Sequence, residues 1–406
     1  MAGLTTTVPI PSASTSDPHA RRTLIVAGFA HALHDGYTDL IYVLLPVWQA
    51  EFALGYGVLA FVRGIYTGAM AGLQIPVGRL AERLGGRMIL ALGTALAALG
   101  YALAGFSGGL LGLCVALALS GAGSSTQHPI ASAAVSRAYG GAARGPLGIY
   151  NFTGDLGKAA LPATTSVLLT FLPWRSSLYI LAMLGIVVAL SVALLMPAVR
   201  RPSAGGTSKK RQAGGGRGGF SLLFAIGVLD SAVRMGFLTF LPFLLKAKGA
   251  SLPDIGLALA LVFIGGAAGK FACGWLGARL GVLWTVLATE GGTAAAIVGV
   301  LGLALIPSLV LLPLLGVMLN GTSSVLYGTV PELAPPDRTE RAFALFYTGT
   351  IGSGAFAPVL FGILGDAAGA TWATLATAMT AIATIPIALA LAPRLAADDE
   401  LSAAAR

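Results

Sequence analysis

Long apolar segments recur along most of the chain, and short breaks rich in glycine, proline and charged residues separate them. A helix of about 20 apolar residues crosses the hydrocarbon core of a bilayer. The pattern predicts twelve membrane-spanning helices, with a polar segment after the sixth. The predicted spans lie near residues 23–50, 55–77, 88–106, 110–136, 146–171, 176–197, 220–246, 254–278, 282–304, 309–332, 341–364 and 371–392.

Composition supports an all-α polytopic membrane protein. Hydrophobic residues make up 56% of the 406 residues and charged residues only 10%, whereas about a quarter of an average soluble domain is charged. This excludes a soluble globular protein. We expect a disordered cytoplasmic tail at 1–22, a six-helix bundle at 23–198, a basic glycine-rich cytoplasmic linker at 199–219, a second six-helix bundle at 220–393 and a cytoplasmic tail at 394–406.

The net charge of +9 follows from membrane topology and requires no nucleic-acid partner. Of the 25 lysines and arginines, 18 lie on the side of the N-terminus and the linker, and only Arg175, Lys246 and Lys248 lie on the other side. Loops rich in positive charge face the cytoplasm. We therefore expect both termini and the linker in the cytoplasm. The sequence implies no cofactor and no resident metal, and we expect a monomer in a lipid bilayer.

The two sets of spans resemble each other. The string "GRLAERLG" at 78–85 reappears as "GWLGARLG" at 274–281, a shift of 196 residues, and Pro46 pairs with Pro242 at the same shift. Several matches at one shift indicate an internal duplication of six spans each. The fold class we predict is therefore twelve helices in two pseudo-symmetric six-helix bundles.

The loop between the second and third spans, "GRLAERLGGR", has a glycine, an acid, an arginine, a second glycine and a further basic residue in an ordered series. These residues are Gly78, Glu82, Arg83, Gly85 and Arg87. With the two six-helix halves and the basic linker, this motif resembles the major facilitator superfamily. The resemblance implies a charged latch that biases the halves between two openings of the transport pathway.

A second motif is more specific. "GAGSSTQHPIAS" in the fourth span and the polar first span, which contains His31 and Asp35 before Pro46 and Glu51, are similar to the fosmidomycin-resistance family of bacterial drug exporters. That family usually has an uncharged fifth span, whereas "NFTGDLGKAALP" here contains charged residues. The resemblance implies drug efflux from the bacterial inner membrane, with a substrate site that differs from that of the family.

Ionisable residues inside the first span indicate proton exchange. His31, Asp35 and Asp39 fall four residues apart and share one helix face, with His34 on its flank. Each ionisable group at mid-bilayer costs about 2.5 to 3.5 kcal/mol, so such groups face a partner or an aqueous cavity. A carboxyl group in such a cavity can bind and release a proton, and histidine titrates near neutrality. We predict that Asp35, assisted by Asp39 and by His31 or His34, carries the proton.

Polar and charged residues in other spans are the candidate substrate ligands. If the superfamily fold holds, most of them converge on one cavity between the halves. They are Arg63, His128, Asn151, Asp155, Lys158, Asp230, Arg234, Lys270 and Tyr347. Glu290 also lies within a span. The four cations suit an anionic ligand, because a guanidinium binds a phosphonate or carboxylate in bidentate fashion.

Other interpretations of these charges remain open. Asp230 with Arg234 and Asp155 with Lys158 have the spacing of static ion pairs along a helix. His128, which precedes a proline, is also suited to bonding a carbonyl across a kink.

We expect a secondary active transporter that exports a small anionic or zwitterionic compound in exchange for protons, by alternating access. One alternative is proton-coupled uptake of a small organic anion. Another is export of a divalent transition metal, because three of the four histidines lie in the membrane near Asp35, Asp39 and Asp155. The sequence has no HExxH, GxSxG or P-loop motif, so we do not expect an enzyme.

Overall fold

The structure is a computed structural model that describes residues 17–197, 218–334 and 339–404. Its described part is almost entirely helical. The first half contains α1 Pro18–Phe52, α2 Tyr56–Leu84, α3 Gly86–Phe106, α4 Leu110–Ser124, α5 Gln127–Tyr139, α6 Arg144–Phe171 and α7 Trp174–Leu195, with one 3-10 turn at Gly140–Ala142. The second half contains α8 Gly219–Ala247, α9 Leu252–Gly302, α10 Leu305–Leu333, α11 Thr339–Ala368 and α12 Ala370–Ala404.

Three predicted spans differ in form from the helices observed. The fourth predicted span, 110–136, is broken into α4 and α5 at Ser125 and Thr126. The eighth and ninth predicted spans form the continuous element α9, which is kinked at Gly281, where φ is 79°. Glycine adopts this left-handed conformation without steric cost, so the chain reverses direction there with no loop residues.

The two ends of the described chain are more helical than we predicted. Asp17 accepts a hydrogen bond from the His19 N–H and Pro18 occupies the first turn, so α1 starts inside the segment 1–22 that we assigned to a tail. At the other end α12 continues through 394 to Ala404. Most of the predicted linker, 199–219, lies outside the described residues, and α8 begins at Gly219.

Nine helical stretches of the described chain are long and apolar enough to cross a membrane. The set counts α4 and α5 as one stretch and the kinked α9 as one. It does not contain α1 and α6, which include half of the polar residues discussed above. The chain is therefore a multi-pass membrane protein in which α1 and α6 are held among apolar helices.

The two halves meet along two seams, α2 against α11 and α6 against α9. At one end of the bundle α2 and α11 pack backbone to backbone: a Cβ atom on Gly362 would lie 2.6 Å from the Gly57 Cα. The Asp366 carboxylate accepts the Tyr56 and Gly57 backbone N–H groups at 2.6 and 3.0 Å. These contacts close this end of the bundle, which we call the opposite end because it lies away from the start of α1.

The other end, where α1 begins and α2 terminates, is open between the halves. We call it the terminal end. All the buried residues of α2 lie between Gly57 and Thr67, and the rest of the helix is partly or fully exposed. A Cβ atom on Gly68, Gly72 or Gly78 would meet no atom within 4 Å. The cavity between the halves therefore opens toward the end that contains the predicted latch loop.

Candidate substrate and proton site

Asp35 is the centre of a compact charged cluster inside the first half. The residue is 8% exposed. Lys158 Nζ lies 3.3 Å and His31 Nε2 lies 3.4 Å from its Oδ2 atom, and His128 Nε2 lies 3.9 Å from its Oδ1 atom. Three helices, α1, α5 and α6, thus bring one acid, one lysine and two histidines together, so that each ionisable group within the membrane has partners.

Small residues on α6 make this cluster possible. A Cβ atom on Gly157 would lie only 1.9 Å from the Ala32 carbonyl oxygen, and one on Gly154 would lie 2.7 Å from Asp35 Oδ2. The α6 backbone therefore lies directly against α1, as small residues permit in membrane helices. Lys158, one residue beyond Gly157, reaches the carboxylate of the neighbouring helix because of this close approach.

The orientation of His31 directs its Nε2 atom toward Asp35. His31 Nδ1 lies 2.8 Å from the Tyr150 carbonyl oxygen, and the two rings stack with centroids 4.1 Å apart. A carbonyl only accepts, so Nδ1 is the donor nitrogen. Nε2 then faces Asp35 as a second donor only if the pair holds one additional proton. Tyr150, which we did not select from the sequence as a site residue, fixes this geometry.

His128 completes the cluster from the side of the cavity. Its side chain is 38% exposed, and its ring meets His31 edge-on at 5.3 Å. Among the described residues its ring makes no hydrogen bond to a carbonyl, so the alternative of a bond across the kink is not observed. Ligand atoms of His31, Asp35 and His128 all lie within 4.8 Å of one another, which is close enough to hold a metal ion. Lys158 competes for the same carboxylate.

His34 points away from this cluster. Its Nδ1 lies 3.0 Å from Ser124 Oγ, and its Nε2 lies 3.0 Å from Thr94 Oγ1. The Thr94 hydroxyl donates to the Leu90 carbonyl oxygen at 2.8 Å, so it accepts from the Nε2–H. Both nitrogens of a neutral ring are therefore satisfied within the first half. Its predicted role in proton coupling gains no support from this placement.

An ion pair joins the two halves beside the cluster. Lys270 Nζ of α9 donates to both carboxylate oxygens of Asp155 on α6, at 2.6 and 2.8 Å. Neither static pair inferred from helix spacing is formed, since Asp155 binds Lys270 rather than Lys158. Asp230 and Arg234 also make no ion pair within 4.0 Å in the described structure.

A second polar group lies deeper, at the contact of α1, α2 and α8. Arg63 is 2% exposed, its Cζ lies 4.4 Å from the centre of the Tyr42 ring, and its Nη2 donates to Met235 Sδ at 3.3 Å. Arg63 Nε has no hydrogen-bond partner among the described residues. Asp39, also buried, makes no hydrogen bond and no ion pair within 4.0 Å there. A buried guanidinium without a partner acid is a candidate anion ligand.

The remaining candidates are distributed around the cavity. Arg234 is half-buried, and its Nε atom also has no partner among the described residues. Asn151 and Tyr347 are exposed, and among the described residues neither forms a hydrogen bond or ion pair with the Asp35 cluster. Met235 and Tyr42 were missed from the sequence, because a methionine and a tyrosine within an apolar span are typical packing residues.

The family model of the Major Facilitator Superfamily matches residues 27–225 and 223–406. The chain belongs to this superfamily. The superfamily fold implies the twelve spans that we predicted. It also confirms the all-α fold and the resemblance drawn from the loop motif.

Solved structures agree on the fold of this superfamily member. A bacterial homologue of the human lysosomal transporter Spinster, in an inward-facing and unoccupied conformation, has a TM-score of 0.79 at 15% identity and covers 94% of this chain and 99% of its own. A mutant of the nucleoside transporter NupG has a TM-score of 0.75 at 13% identity, covering 92% and 99%. At these identities the likeness concerns the fold alone.

Curated relatives of this superfamily member have names that refer to export or resistance. The fosmidomycin resistance protein of Escherichia coli (strain K12) is 27% identical over 164 residues, 40% of each chain. The cephamycin export protein CmcT of Amycolatopsis lactamdurans is 30% identical over 187 residues, 45% of this chain and 38% of that protein. The puromycin resistance protein pur8 of Streptomyces alboniger is 29% identical over 198 residues, 46% and 38%. The matches thus span about two fifths of those proteins.

The latch motif of this superfamily member lies at the open terminal end. Gly85 ends α2 with φ of 97°, and Arg87 Nη1 donates to the Met196 carbonyl oxygen at 3.5 Å. Glu82 and Arg83 are exposed and form no ion pair or hydrogen bond with any described residue. The predicted pairing with neighbouring helix ends is therefore not formed in this conformation, and the latch role remains a prediction.

Proposed function

We propose that the protein exports a small anionic or zwitterionic compound in exchange for protons, by alternating access. The observation that carries this proposal is the separation of two groups of side chains: a cluster of titratable groups at Asp35, and the guanidinium groups of buried Arg63 and half-buried Arg234, whose Nε atoms have no hydrogen-bond partner among the described residues. One group suits the proton and the other suits an anion.

The guanidinium groups support an anionic substrate. A buried cation without a compensating partner is unfavourable. Arg63 contacts a π face and a sulfur, and Asp39 acts on it only from beyond 4.0 Å. A phosphonate or carboxylate in the cavity supplies the missing charge and accepts two parallel N–H bonds. Arg63 lies on the first half and Arg234 on the second, so an anion between them contacts both halves.

The ion pairs support a coupling route between the proton and the halves. Protonation of Asp35 removes the negative charge that holds Lys158 at 3.3 Å. Lys158 lies about one turn along α6 from Asp155, whose partner is Lys270 of the second half. The released lysine then competes with Lys270 for Asp155 and weakens the bond between the halves. Proton binding at Asp35 is thus converted into movement of one half against the other.

The names of the relatives favour export over uptake. All three refer to export or to resistance against an antibiotic, and none of the intramembrane residues fixes a direction by itself. We place the protein in a bacterial inner membrane as a monomer, with both termini in the cytoplasm, from the distribution of lysine and arginine. The terminal end, where the cavity opens, then faces the cytoplasm, the side from which an exporter collects its substrate.

A divalent metal is the second candidate substrate, because His31, Asp35 and His128 converge within 4.8 Å. Imidazole and carboxylate ligands suit several transition metals. The Lys158 ammonium at 3.3 Å from the same carboxylate opposes a cation there. Thermal stability of the purified protein with Zn²⁺, Ni²⁺ or Mn²⁺ separates the two substrates: saturable stabilisation that disappears in His31→Ala and His128→Ala supports a metal.

Proton movement in everted vesicles tests the main proposal. Vesicles loaded with a pH-sensitive dye receive phosphonates, carboxylate antibiotics, organic cations or metal salts in turn. We expect release of protons from the lumen on addition of an anionic compound, lost in Asp35→Asn. Asp254→Asn is the matched control, since Asp254 is a half-exposed acid that binds Ser251 at the start of α9, outside the Asp35 cluster. A response to organic cations alone would overturn the anionic substrate, and one of opposite sign would indicate uptake.

A further inference from the structure

A pair of carboxyl groups lies inside the second half, apart from the Asp35 cluster. Asp230 on α8 and Glu290 on the second part of α9 are both buried, and Glu290 is only 1% exposed. Their side chains lie within hydrogen-bonding reach of each other. Two ionised carboxylates in contact repel strongly where water is excluded, so such a pair shares a proton. The export scheme above gives this pair no role.

One oxygen of the buried Glu290 carboxyl has no donor. The Thr322 hydroxyl faces Glu290 from α10 and also lies 2.7 Å from Thr289 Oγ1, and the Thr289 hydroxyl donates to the Thr285 carbonyl oxygen at 2.8 Å. Glu290 Oε2 has no hydrogen-bond partner among the described residues. An ionised Glu290 would therefore leave a buried charged oxygen without a donor, which is costly. A proton on the Glu290 carboxyl removes that cost and makes Glu290 a donor to Asp230.

Arg234 balances the charge that remains. It lies on the same helix as Asp230 and acts on both carboxyl groups without forming an ion pair within 4.0 Å. Tyr327 of α10, which is neutral as a phenol, also faces this region, and Arg234 acts in addition on Asp39 and Lys158 of the first half. With one shared proton the carboxyl pair has a single negative charge, which matches the one guanidinium. Loss of the proton leaves two negative charges and attracts Arg234 toward them.

The internal duplication gives independent support. At the shift of 196 residues, Asp230 corresponds to His34 and Glu290 corresponds to Thr94. In the first half the equivalent pair is in contact, with His34 Nε2 3.0 Å from Thr94 Oγ1. The two halves thus keep one polar contact at equivalent positions. In the first half this contact is a hydrogen bond between two neutral side chains. In the second half it is a contact between two acids, which can form a hydrogen bond only if one of them is protonated.

We propose that Asp230 and Glu290 form a second proton-binding site, in which the Glu290 carboxyl holds a proton and donates it in a hydrogen bond to the Asp230 carboxylate. The proton comes from water and returns to water, and only O–H bonds form or break. Its release draws Arg234 away from the cavity toward the carboxyl pair. The site links the charge presented by the second half to proton occupancy, and it does not depend on which compound is exported.

Infrared spectroscopy of the purified full-length protein in lipid tests this site. We expect wild type at neutral pH to have a C=O stretching component from a protonated carboxyl that shifts in D₂O. Glu290→Gln should lose this component, and Asp35→Asn should keep it. The double substitution Asp230→His/Glu290→Thr copies the pair of the first half and should fold with the component absent.

The outcome depends on which carboxyl group gives the C=O stretching component. Persistence of the full protonated-carboxyl signal in Glu290→Gln, or in the double variant, overturns the proposal, as does its absence from wild type. The double variant carries the test alone if Glu290→Gln does not fold. Because no substrate is added, failure of this site is distinct from failure of the export proposal, which the vesicle experiment measures.

Discussion

Lys270 of α9 donates to both carboxylate oxygens of Asp155 on α6, at 2.6 and 2.8 Å, and so joins the second half of the protein to the first. Lys158, about one turn along α6 from Asp155, lies 3.3 Å from Asp35 on α1. A change of charge at Asp35 therefore alters the position of Lys158, and through it the Asp155–Lys270 ion pair that joins the halves. This is the physical basis of the coupling that we propose.

Reversing this ion pair tests its role in holding the halves together. Asp155→Lys alone places three cations side by side, and we expect it to separate the halves at the α6–α9 seam. The double substitution Asp155→Lys/Lys270→Asp restores an opposite-charge pair and should recover transport in part. Spin labels on cysteines at Gly141 and Gly274, where a Cβ atom meets nothing within 4 Å, report the distance between the halves at the terminal end.

Asp155→Asn and Lys270→Gln are the milder controls for that experiment. Each leaves one charge unpaired, and we expect both to shift the label distance distribution in the same direction. Identical distance distributions in wild type, the single variants and the double variant would contradict a role for this pair in positioning the halves.

Gly157→Ala tests the close approach of α1 and α6 that lets Lys158 reach Asp35. The added Cβ atom would lie 1.9 Å from the Ala32 carbonyl oxygen, so one helix backbone must move. Overpacking of this kind typically costs about 1 to 3 kcal/mol. We expect a lower unfolding temperature in detergent and loss of proton release. Gly148→Ala, on the same helix with nothing within 4 Å, should change neither, and equal behaviour of the two variants would contradict this explanation.

Arg63→Lys distinguishes bidentate anion recognition from simple charge attraction. Lysine keeps the positive charge but lacks the planar guanidinium fork. A hydrogen bond to a charged group contributes about 1.5 to 3 kcal/mol, which corresponds to a loss of roughly 10- to 150-fold in affinity. We expect that loss in Arg63→Lys for an anionic substrate, measured by calorimetry. Arg137→Gln removes an exposed arginine outside the cavity and should leave the affinity unchanged. Full affinity in Arg63→Lys would show that Arg63 contributes charge alone.

Much of the fold was predictable because hydropathy and repetition act over long stretches of sequence. Apolar length fixed the spans, and the matches at a shift of 196 residues indicated two equivalent halves. Helix periodicity also placed His31 and Asp35 on one face correctly, since spacing within a single helix needs no tertiary information. The break between α4 and α5 and the direct joining at Gly281 are local backbone features that hydropathy does not detect.

Partners across helices were not predictable from spacing. Asp155 and Lys158 looked like a pair on one helix, yet each binds a residue of another helix, because α6 lies between α1 and α9 and its two faces meet different neighbours. His34, on the flank of the face that contains His31, was predicted as an alternative assistant to Asp35, but that flank is directed at Thr94 and Ser124. Glu290 gave no functional signal because its partner, Asp230, is distant in sequence.

Asp366→Ala tests the closure of the opposite end of the bundle. The Asp366 carboxylate accepts the Tyr56 and Gly57 N–H groups at the start of α2, where free backbone donors and the helix dipole favour a negative charge. Removing it takes two charge-assisted hydrogen bonds from the seam between α2 and α11. We expect the conformational equilibrium to move toward opening at this end, seen as faster thiol labelling of a cysteine placed at Ile363.

Glu51→Gln, which loses an exposed ion pair with Arg175 within the first half, is the matched control. Since that pair does not cross between the halves, equal acceleration in both variants would show a general loss of stability instead of release of the closed end.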